Sequence, residues 1–422
     1  MNNVLVFPCG SEIGLEIYRS FKGVKDVNLI GGSSVPDHGM FVYQNYIGTI
    51  PQVDDPNFIK SINQLIQKYH ISHIFPAHDS VILKLAENFN LVKSTVITSP
   101  YETCMICRSK KKTYQYLKNI IKTPIVYDKN KLSKGSYPYF LKPEVGQGTK
   151  GVFLAKDKKE LLFYLKKDPT LLILEYLPGE EFTVDCFTDF NGKLKFVSPR
   201  KRNRILNGIS VNTFLVKGKE FKAIANKIND NLKINGAWFY QVKRDKNGEL
   251  TLLEIAPRIA GSMAIQRVSG VNLPVLSYLN SQGLPVDIRM NRFDVTFDRA
   301  LENSYKTNLK YKNVYLDFDD CLLEKDQINL DIVKFVFQCK NHKINVHLIS
   351  KHKYDLQAKL KELGIKELFS SIIHIKKIER KVDYITKMNS IFIDDSFSER
   401  RDVYDKLKIP VFSVDAIECL LK

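Results

Sequence analysis

Short apolar runs alternate with longer amphipathic segments at the start of the chain. Apolar residues recur at helical spacing from Ile13 onward and between Asn57 and Tyr69. The strand-like runs between them are the segments 4–7, 27–32, 73–79 and 95–99. Strands separated by helices of this length predict a parallel sheet with crossover helices. We therefore predict an N-terminal α/β domain over residues 1–98.

Downstream of this domain the strand-like runs are joined by glycine-rich loops and tight turns. One run, 139–141, ends in Lys142 and is followed by a loop with Gly146, Gly148 and Gly151. Glycines let backbone N–H groups close over an anion, and a lysine adds a point charge to the same phosphates. The segment predicts a flap over a polyphosphate, although a plain glycine-rich hairpin has the same pattern.

An apolar hinge flanked by carboxylates follows the flap. A strand-like run ends in Glu175. The hinge that follows is formed by Tyr176 and Leu177, and Glu181 precedes the next strand. A carboxylate beside an apolar hinge can accept a hydrogen bond from an adenine amino group, and a second can accept from ribose hydroxyls. These residues predict an adenine nucleotide site.

A β-hairpin is predicted farther along, where strands 238–242 and 252–258 flank the turn sequence DKNG. Gln241 and Glu254 then project from neighbouring antiparallel strands. Oxygen ligands so placed suit Mg²⁺, which is usually held by one or two protein groups together with nucleotide phosphates. We predict a second, α+β domain over residues 99–308.

A polar linker over residues 302–312 has no apolar periodicity and precedes another α/β pattern. Strand-like runs are found at 314–322, 346–350, 372–375 and 391–395, and helical periodicity at 330–341 and 354–363. The short gaps between these elements leave no room for a cap domain. We predict a small Rossmann-like domain without a sizeable cap over residues 309–422.

Polar side chains stand at the ends of the strands of this third domain. The two-residue period of a strand directs Asp317 and Asp319 to the same side. Ser350 ends the next strand, Asp394 stands at the tip of the last one, and Lys381 opens a helix. Acids, a hydroxyl and a lysine at the carboxyl ends of parallel strands indicate a metal-dependent phosphate site.

The charge balance narrows the classes of partner. The 422 residues include 64 Lys and Arg against 46 Asp and Glu, a formal charge of +18, which favours anionic ligands. We expect no nucleic acid partner, because no arginine-rich tract or nucleic-acid-binding motif is found. No apolar run approaches the ~18 residues that span a bilayer, and the seven scattered cysteines suit reduced thiols in the cytoplasm. The oligomeric state stays open.

Residues 1 to about 300 resemble the ATP-grasp superfamily. The resemblance is carried by Lys110 before TYxxL, FLKP, the GQGTKG flap, EYLPGEEFTVD, Gln241, and LEIAPR followed by GVNLP. It implies ATP as a substrate, with phosphates contacted by Lys110, Lys142 and the flap residues Gly148 and Thr149. It also implies that adenine is bound by Glu175, Tyr176 and Leu177, and ribose by Glu181.

The same resemblance implies a metal site and a catalytic arginine. Glu254 is then the bridging ligand of Mg²⁺ (or Mn²⁺), Gln241 is a second ligand, and Arg258 steadies the transferred phosphoryl group. Many relatives carry Asn two residues after the metal-binding Glu, whereas this chain has Ala256. One metal then loses a protein oxygen, so this metal site is expected to be weak or completed by water.

The third domain resembles the haloacid dehalogenase superfamily over about 110 residues, with Cys321 where Thr or Val is usual in the DxDx[TV] signature. The resemblance implies a phosphatase with Asp317 as nucleophile and Asp319 as general acid and base. Ser350 and Lys381 are the implied phosphate ligands, and Lys376 and Lys377 compete with Lys381 for this role. The implied Mg²⁺ ligands are Asp317, Asp319 and Asp394.

Together these features predict a bifunctional enzyme. An ATP-dependent ligase joins a small carboxylate to an amine through an acyl phosphate, and a phosphatase removes a phosphate from the ligated product. We expect anionic or phosphorylated substrates. The alternatives are a nucleotide-binding regulatory or scaffold protein with a degenerate ligase site, favoured by Ala256, and a nucleic-acid-binding protein that exploits the positive charge.

Overall fold

Apolar segments of two to six residues at the start of the chain form a parallel sheet whose two faces are covered by helices. Its strands are β1 (Asn2–Phe7), β2 (Val27–Gly32), β3 (Asn45–Ile47), β4 (Ile71–Pro76) and β5 (Thr95–Val96), in the order β3-β2-β1-β4-β5. The helices of this segment are α1 (Glu12–Ser20), α2 (Gly39–Val42), α3 (Phe58–Tyr69) and α4 (Asp79–Glu87). The predicted parallel α/β arrangement is confirmed.

The computed structural model describes residues 1–129, 132, 137–146, 148, 150–291 and 293–421. The chain divides into two compact units, Met1–Leu301 and Glu302–Lys422. The finer boundaries predicted at 98/99 and 308/309 stay predictions. None of the helices within the described ranges combines the length and the apolar character that crossing a membrane requires.

Two antiparallel sheets follow in the first unit. The smaller has the strand order β6-β9-β7-β8, and the larger β14-β13-β10-β11-β12-β15. The strands are β6 (Val126–Tyr127), β7 (Tyr139–Lys142), β8 (Phe153–Ala155), β9 (Leu172–Glu175), β10 (Glu181–Thr188), β11 (Leu194–Leu206), β12 (Ile209–Leu215), β13 (Gly236–Arg244), β14 (Leu250–Ala256) and β15 (Thr296–Asp298). The helices are α5 (Tyr101–Arg108), α6 (Lys110–Leu117), α7 (Lys158–Lys167), α8 (Lys219–Asn231), α9 (Ala264–Val268) and α10 (Leu273–Ser281).

Register in the larger sheet aligns polar residues across four strands. Thr183 of β10 is paired with Arg200 of β11 on one side and with Gln241 of β13 on the other. Gln241 is in turn paired with Glu254 of β14, as the predicted hairpin requires. Directly paired residues of antiparallel strands face the same side, so these four side chains form one row.

One apolar core joins the parallel sheet to the larger antiparallel sheet. Val4 and Val6 of β1 and Ile17 of α1 belong to the same buried cluster as Phe239 of β13 and Ala256 of β14. The alternation of a strand supplies this core with one face of β13 and β14. The two sheets are therefore held together by side-chain packing within the first unit.

The second unit has a parallel sheet of its own, in the order β20-β19-β16-β21-β22, and a small hairpin, β17-β18. Its strands are β16 (Asn313–Leu316), β17 (Leu323–Glu324), β18 (Gln327–Ile328), β19 (Asn345–Ser350), β20 (Ser371–His374), β21 (Ser390–Ile393) and β22 (Val411–Phe412). Its helices are α11 (Leu330–Asn341), α12 (Leu356–Glu362) and α13 (Phe397–Leu407), with 3₁₀ turns at Lys366–Leu368, Lys381–Tyr384 and Val414–Leu420.

The predicted strand over 314–322 is wrong at its carboxyl end. The strand β16 stops at Leu316, and Asp320 adopts a left-handed conformation with φ of 52°. Asp317 and Asp319 therefore lie past the regular strand, on the segment that leads into a turn at residues 320–322, and the two-residue period does not fix their directions. Asp317 is buried, whereas the side chain of Asp319 is 46% exposed.

Two phenylalanines of α11 provide a matched test of the second unit. Phe335 is fully buried in its core, whereas Phe337, on the same helix, is 48% exposed. We expect Phe335→Ala to cost about 3–5 kcal/mol of the free energy of unfolding, because it removes a buried ring and leaves a cavity. Phe337→Ala should cost less than about 1 kcal/mol.

Urea unfolding followed by circular dichroism measures both costs in the full chain. Fluorescence of Trp238, the only tryptophan, reports the first unit and serves as an internal reference. Equal destabilisation by the two variants would contradict the placement of α11.

Candidate active sites

A buried lysine stands at the end of β7, where the sequence predicts a phosphate contact. Lys142 is 7% exposed, and its ammonium donates a hydrogen bond to Tyr114 Oη at 2.8 Å. Burial, reinforced by the charge of Lys110, lowers the pKa of Lys142 to about 7. Lys110 begins α6, donates to the Gly146 carbonyl at 3.3 Å, and has a pKa lowered by burial. Two desolvated ammonium groups thus face one region, and an anion would stabilise both.

A cavity of about 190 Å³ contains the side chains predicted to bind a nucleotide. Among the described residues, the predicted nucleotide and metal ligands that line this cavity are Lys110, Lys142, Gly148, Glu175, Tyr176, Leu177, Glu181, Gln241 and Glu254. Gly148 has a φ of +66°, which favours glycine. The predicted flap residue Thr149 lies outside the described residues. Among the described residues, the cavity combines an apolar hinge, four lysines and three carboxylates, which suits an adenine nucleotide.

Arg202 of β11 lines this cavity. Its side chain is 7% exposed and is ion-paired with Glu181. It also donates to Gln241 Oε1 at 2.9 Å and to the Gly208 carbonyl at 2.6 Å. Glu181 and Gln241 therefore already contact Arg202. A ribose hydroxyl that binds Glu181, or a metal ion that binds Gln241, would have to displace Arg202 or bind beside it.

Gln241 and Glu254 fit a magnesium ion only in part. They are paired on β13 and β14 and supply an amide oxygen and a carboxylate, both of which Mg²⁺ accepts. Ala256, two residues on, contributes a methyl group to the apolar core and no oxygen. A divalent ion at this position would therefore depend chiefly on Glu254 and on nucleotide phosphates.

A second, larger cavity of about 630 Å³ adjoins the first. The two share the side chains of Lys110, Arg202, Gln241 and Glu254. Arg258 lies just past the end of β14 and donates to Asp79, at the start of α4, with Nη2 3.1 Å from Oδ2. Its guanidinium also stands 5.1 Å from the ring centre of Phe239. The parallel sheet and the larger antiparallel sheet thus build this cavity together.

The second unit gathers three carboxylates around one lysine. Oxygens of Asp317, Asp394 and Asp395 lie within 4.8 Å of one another. Lys381 Nζ is 2.7 Å from both Asp317 Oδ1 and Asp394 Oδ2. Burial raises the pKa of Asp317, while the Lys381 charge opposes this shift. Lys376 and Lys377, the competing lysines, are exposed.

The carboxylate cluster fits a divalent cation. Lys381 is badly aligned for a hydrogen bond to Asp317 Oδ1, so this buried oxygen has an ion-pair neighbour but no hydrogen-bond donor among the described residues. A hard cation accepts such oxygens. Asp395 was absent from the predicted ligands, although it directly follows Asp394.

Asp319 turns away from this cluster. It accepts a hydrogen bond from Ser350 Oγ at 3.3 Å and lies 2.7 Å from His352 Nδ1. The structure does not place the Asp319 carboxylate among the three clustered carboxylates. Metal binding by Asp319 therefore stays a prediction. His352 was not among the predicted site residues, although its position two residues after Ser350 was a usable signal.

A family model and several curated proteins are similar to parts of the chain. The model described as "ATP-grasp in the biosynthetic pathway with Ter operon" matches residues 167–300. The D-alanine–D-alanine ligase of Petrotoga mobilis is 29% identical over 145 residues, which are 33% of this chain and 48% of that ligase. The corresponding Thermotoga maritima ligase is 32% identical over 95 residues, or 21% of this chain and 31% of the ligase. The chain thus spans about half, or less, of the length of these relatives.

Solved structures are similar over a longer range. An L-amino acid ligase from Bacillus licheniformis has a TM-score of 0.56 at 18% identity and covers 67% of this chain and 74% of its own. An N5-carboxyaminoimidazole synthetase from Staphylococcus aureus, complexed with ADP, has a TM-score of 0.57 at 19% identity. This match covers 68% of this chain and 78% of the synthetase. The MgADP- and bicarbonate-bound biotin carboxylase domain from Hydrogenobacter thermophilus has a TM-score of 0.55 at 15% identity, and the match covers 68% of this chain and 71% of that domain. The chain therefore has an ATP-grasp-like fold over about two thirds of its length.

Proposed function

We propose that the first unit is an ATP-dependent carboxylate–amine ligase. The observation that carries this proposal is the junction at Lys110, Gln241 and Glu254, where the cavity lined by the predicted nucleotide-binding residues adjoins the larger one. At such a junction the terminal phosphate of ATP meets an acid held in the larger cavity. The similarity to D-alanine–D-alanine ligases and to an L-amino acid ligase supports this class of reaction.

The proposed reaction has two steps. An oxygen of the acid attacks the γ-phosphorus of ATP, the bond to the β-phosphate oxygen breaks, and ADP leaves. The amine then attacks the acyl carbon, loses a proton and displaces inorganic phosphate, which leaves an amide. Such transfers depend mainly on positioning and charge neutralisation.

Each predicted residue has a role in this scheme. Lys110, Lys142, Gly148 and Thr149 hold the phosphates, while Glu175, Tyr176, Leu177 and Glu181 hold the nucleoside. Glu254 and Gln241 would hold Mg²⁺ or Mn²⁺, which neutralises charge on the phosphoryl oxygens. Arg258, oriented by Asp79, faces the negative charge that develops on the acyl phosphate.

For the second unit we propose a Mg²⁺-dependent phosphatase, which makes the chain bifunctional. Asp317 attacks phosphorus and forms an aspartyl phosphate, while Asp319 gives a proton to the leaving oxygen and later takes one from water. His352 and Ser350 orient Asp319 by their contacts with its carboxylate. Lys381 and Ser350 hold the phosphate, and Asp317 and Asp394, with Asp395, would hold the metal.

A nucleotide-binding regulatory protein is the second candidate. Two observations favour it. Arg202 already donates a hydrogen bond to Gln241 Oε1, and the side chain of Ala256 has no oxygen that could bind a metal ion. ADP release in the presence of Mg²⁺, screened over pairs of acids and amines with mass-spectrometric detection of the amide, separates the two candidates. A regulatory protein would bind ATP without turnover.

Glu254→Gln is expected to lower ADP release at least about 100-fold, because a preorganised charge at the transferred phosphate is lost. Glu249→Gln is the matched control: Glu249 directly precedes β14 but pairs with Lys122 and lies outside both cavities. The comparison uses initial rates of ADP formation at saturating ATP. Equal rates in the two variants would remove Glu254 from the site.

ATP binding should take up a proton at Lys142. Its pKa of about 7 leaves the side chain largely neutral at pH 8, and the triphosphate favours the charged form. We expect uptake of up to about one proton at pH 8, and weaker ATP binding as the pH rises above 7. Calorimetric titration in two buffers of different ionisation enthalpy measures the uptake. The uptake should disappear in Lys142→Met, and its persistence there would assign it to another group.

Asp317→Asn should abolish Mg²⁺-dependent hydrolysis of phosphate esters and leave ADP release by the ligase intact. The control is Asp320→Asn in the same turn, since Asp320 is exposed and Asn tolerates its positive φ. Supplied with ATP, an acid and an amine phosphate ester, Asp317→Asn should accumulate a phosphorylated amide. Accumulation of the dephosphorylated amide alone would contradict the proposed coupling of the two reactions.

A further inference from the structure

Arg200 on β11 is a fully buried arginine with one guanidinium nitrogen left over. It is 1% exposed, and its Nε and Nη2 donate to Asp185 at 2.8 and 3.2 Å. Asp185 is itself completely buried and also accepts from Gln266 Nε2 at 3.0 Å. These contacts neutralise the charge and fix the plane of the guanidinium. Nη1 has no hydrogen-bond partner among the described residues.

A buried donor without an acceptor is costly, so an unpartnered nitrogen in a folded protein requires an explanation. The explanation here is positional, because Arg200 lines the larger cavity. Among the described residues that line this cavity, seven are basic and three are acidic. One of the acids, Asp79, is already paired with Arg258. The cavity therefore has positive charge to offer a ligand.

The row across the larger sheet separates Arg200 from the phosphoryl-transfer end of the cavity. Arg200, Thr183, Gln241 and Glu254 are paired in succession on four adjacent strands, and all four line the cavity. With strands about 4.8 Å apart, the Arg200 backbone lies about 10 Å from that of Gln241 and about 14 Å from that of Glu254. Because Asp185 holds the Arg200 guanidinium in place, an anion on Arg200 is a different group from the phosphate transferred near Glu254.

We propose that the acid activated by this enzyme carries a second anionic group, a carboxylate or a phosphate, which Arg200 Nη1 binds. The proposal rests on the ligase function proposed above and names its substrate class. The reacting carboxylate lies over Gln241 and Glu254, and the body of the acid extends past Thr183 to Arg200. Charge-assisted hydrogen bonds from a fixed guanidinium give this position its selectivity.

Matched pairs of acids test the proposal through the acid-dependent release of ADP. The pairs are succinate with succinamate, glutamate with glutamine, and O-phosphoserine with serine, so that the carboxylate and phosphate sources are tested separately. We expect the wild type to favour the acid with the extra anionic group by about 10- to 100-fold in kcat/KM, in at least one pair. Equal use of both members of every pair that supports turnover would overturn the proposal.

Two substitutions in β11 assign the preference to Arg200. Arg200→Lys keeps a positive charge beside Asp185 but removes the forked donor, so it should raise KM for the more anionic acid and leave its partner's KM unchanged. Lys201→Met is the control, because Lys201 is the next residue, pairs with Glu180 and does not line the cavity. A preference that survives in Arg200→Lys would overturn the assignment.

Binding without turnover separates this proposal from the ligase function. Calorimetric titration of the ATP-free protein with each of the six acids should show that the more anionic member binds more tightly to the wild type than to Arg200→Lys. If Arg200→Lys is unstable, the double variant Arg200→Gln with Asp185→Asn removes both buried charges and replaces it. If the variants lose this binding but no reaction of the wild type releases ADP, the anion site is supported and the ligase function is wrong. If the variants bind the acids as tightly as the wild type, the anion site is wrong.

Discussion

The backbone pairing of β10 with both β11 and β13 is the constraint on which the first unit depends. It brings Arg200, Thr183 and Gln241 into one row, and the β13–β14 hairpin extends the row to Glu254. A shift of one residue would turn the whole set of side chains on the slipped strand to the opposite face. The candidate nucleotide cavity, the proposed metal ligands and the proposed anion site therefore depend on a single register.

Apolar packing and hydrogen bonds together bring the N-terminal sheet into the same site. Val4, Val6 and Ile17 share a core with Phe239 and Ala256, and Asp79 at the start of α4 accepts a hydrogen bond from Arg258. The methyl group of Ala256 belongs to that core, whereas a polar residue there would have to find a partner or remain unsatisfied. The position thus contributes apolar contact at the expense of a metal ligand.

Both units keep charged groups away from water at their candidate sites. In the first unit, burial lowers the pKa values of Lys110 and Lys142, which prepares them for an anionic ligand. In the second, Lys381 stands between Asp317 and Asp394, and burial together with the Asp395 charge raises the pKa of Asp394 against the opposing charge of Lys381. Such shifts are common at functional sites, because an incoming ligand supplies the missing counter-charge.

The sequence alone determined the elements whose patterns are strong and local. The helix 330–341 and the hairpin that pairs Gln241 with Glu254 are found as predicted, because apolar periodicity and turn residues act over a few positions. Only the tertiary structure decided that Arg200 and Arg202 are buried in ion pairs, since alternation along β11 does not reveal which face its neighbours will bury. It also decided that Asp319 meets His352 rather than Asp317, because a strand ending at Leu316 and a left-handed Asp320 depend on how the turn packs against β19 and its Ser350.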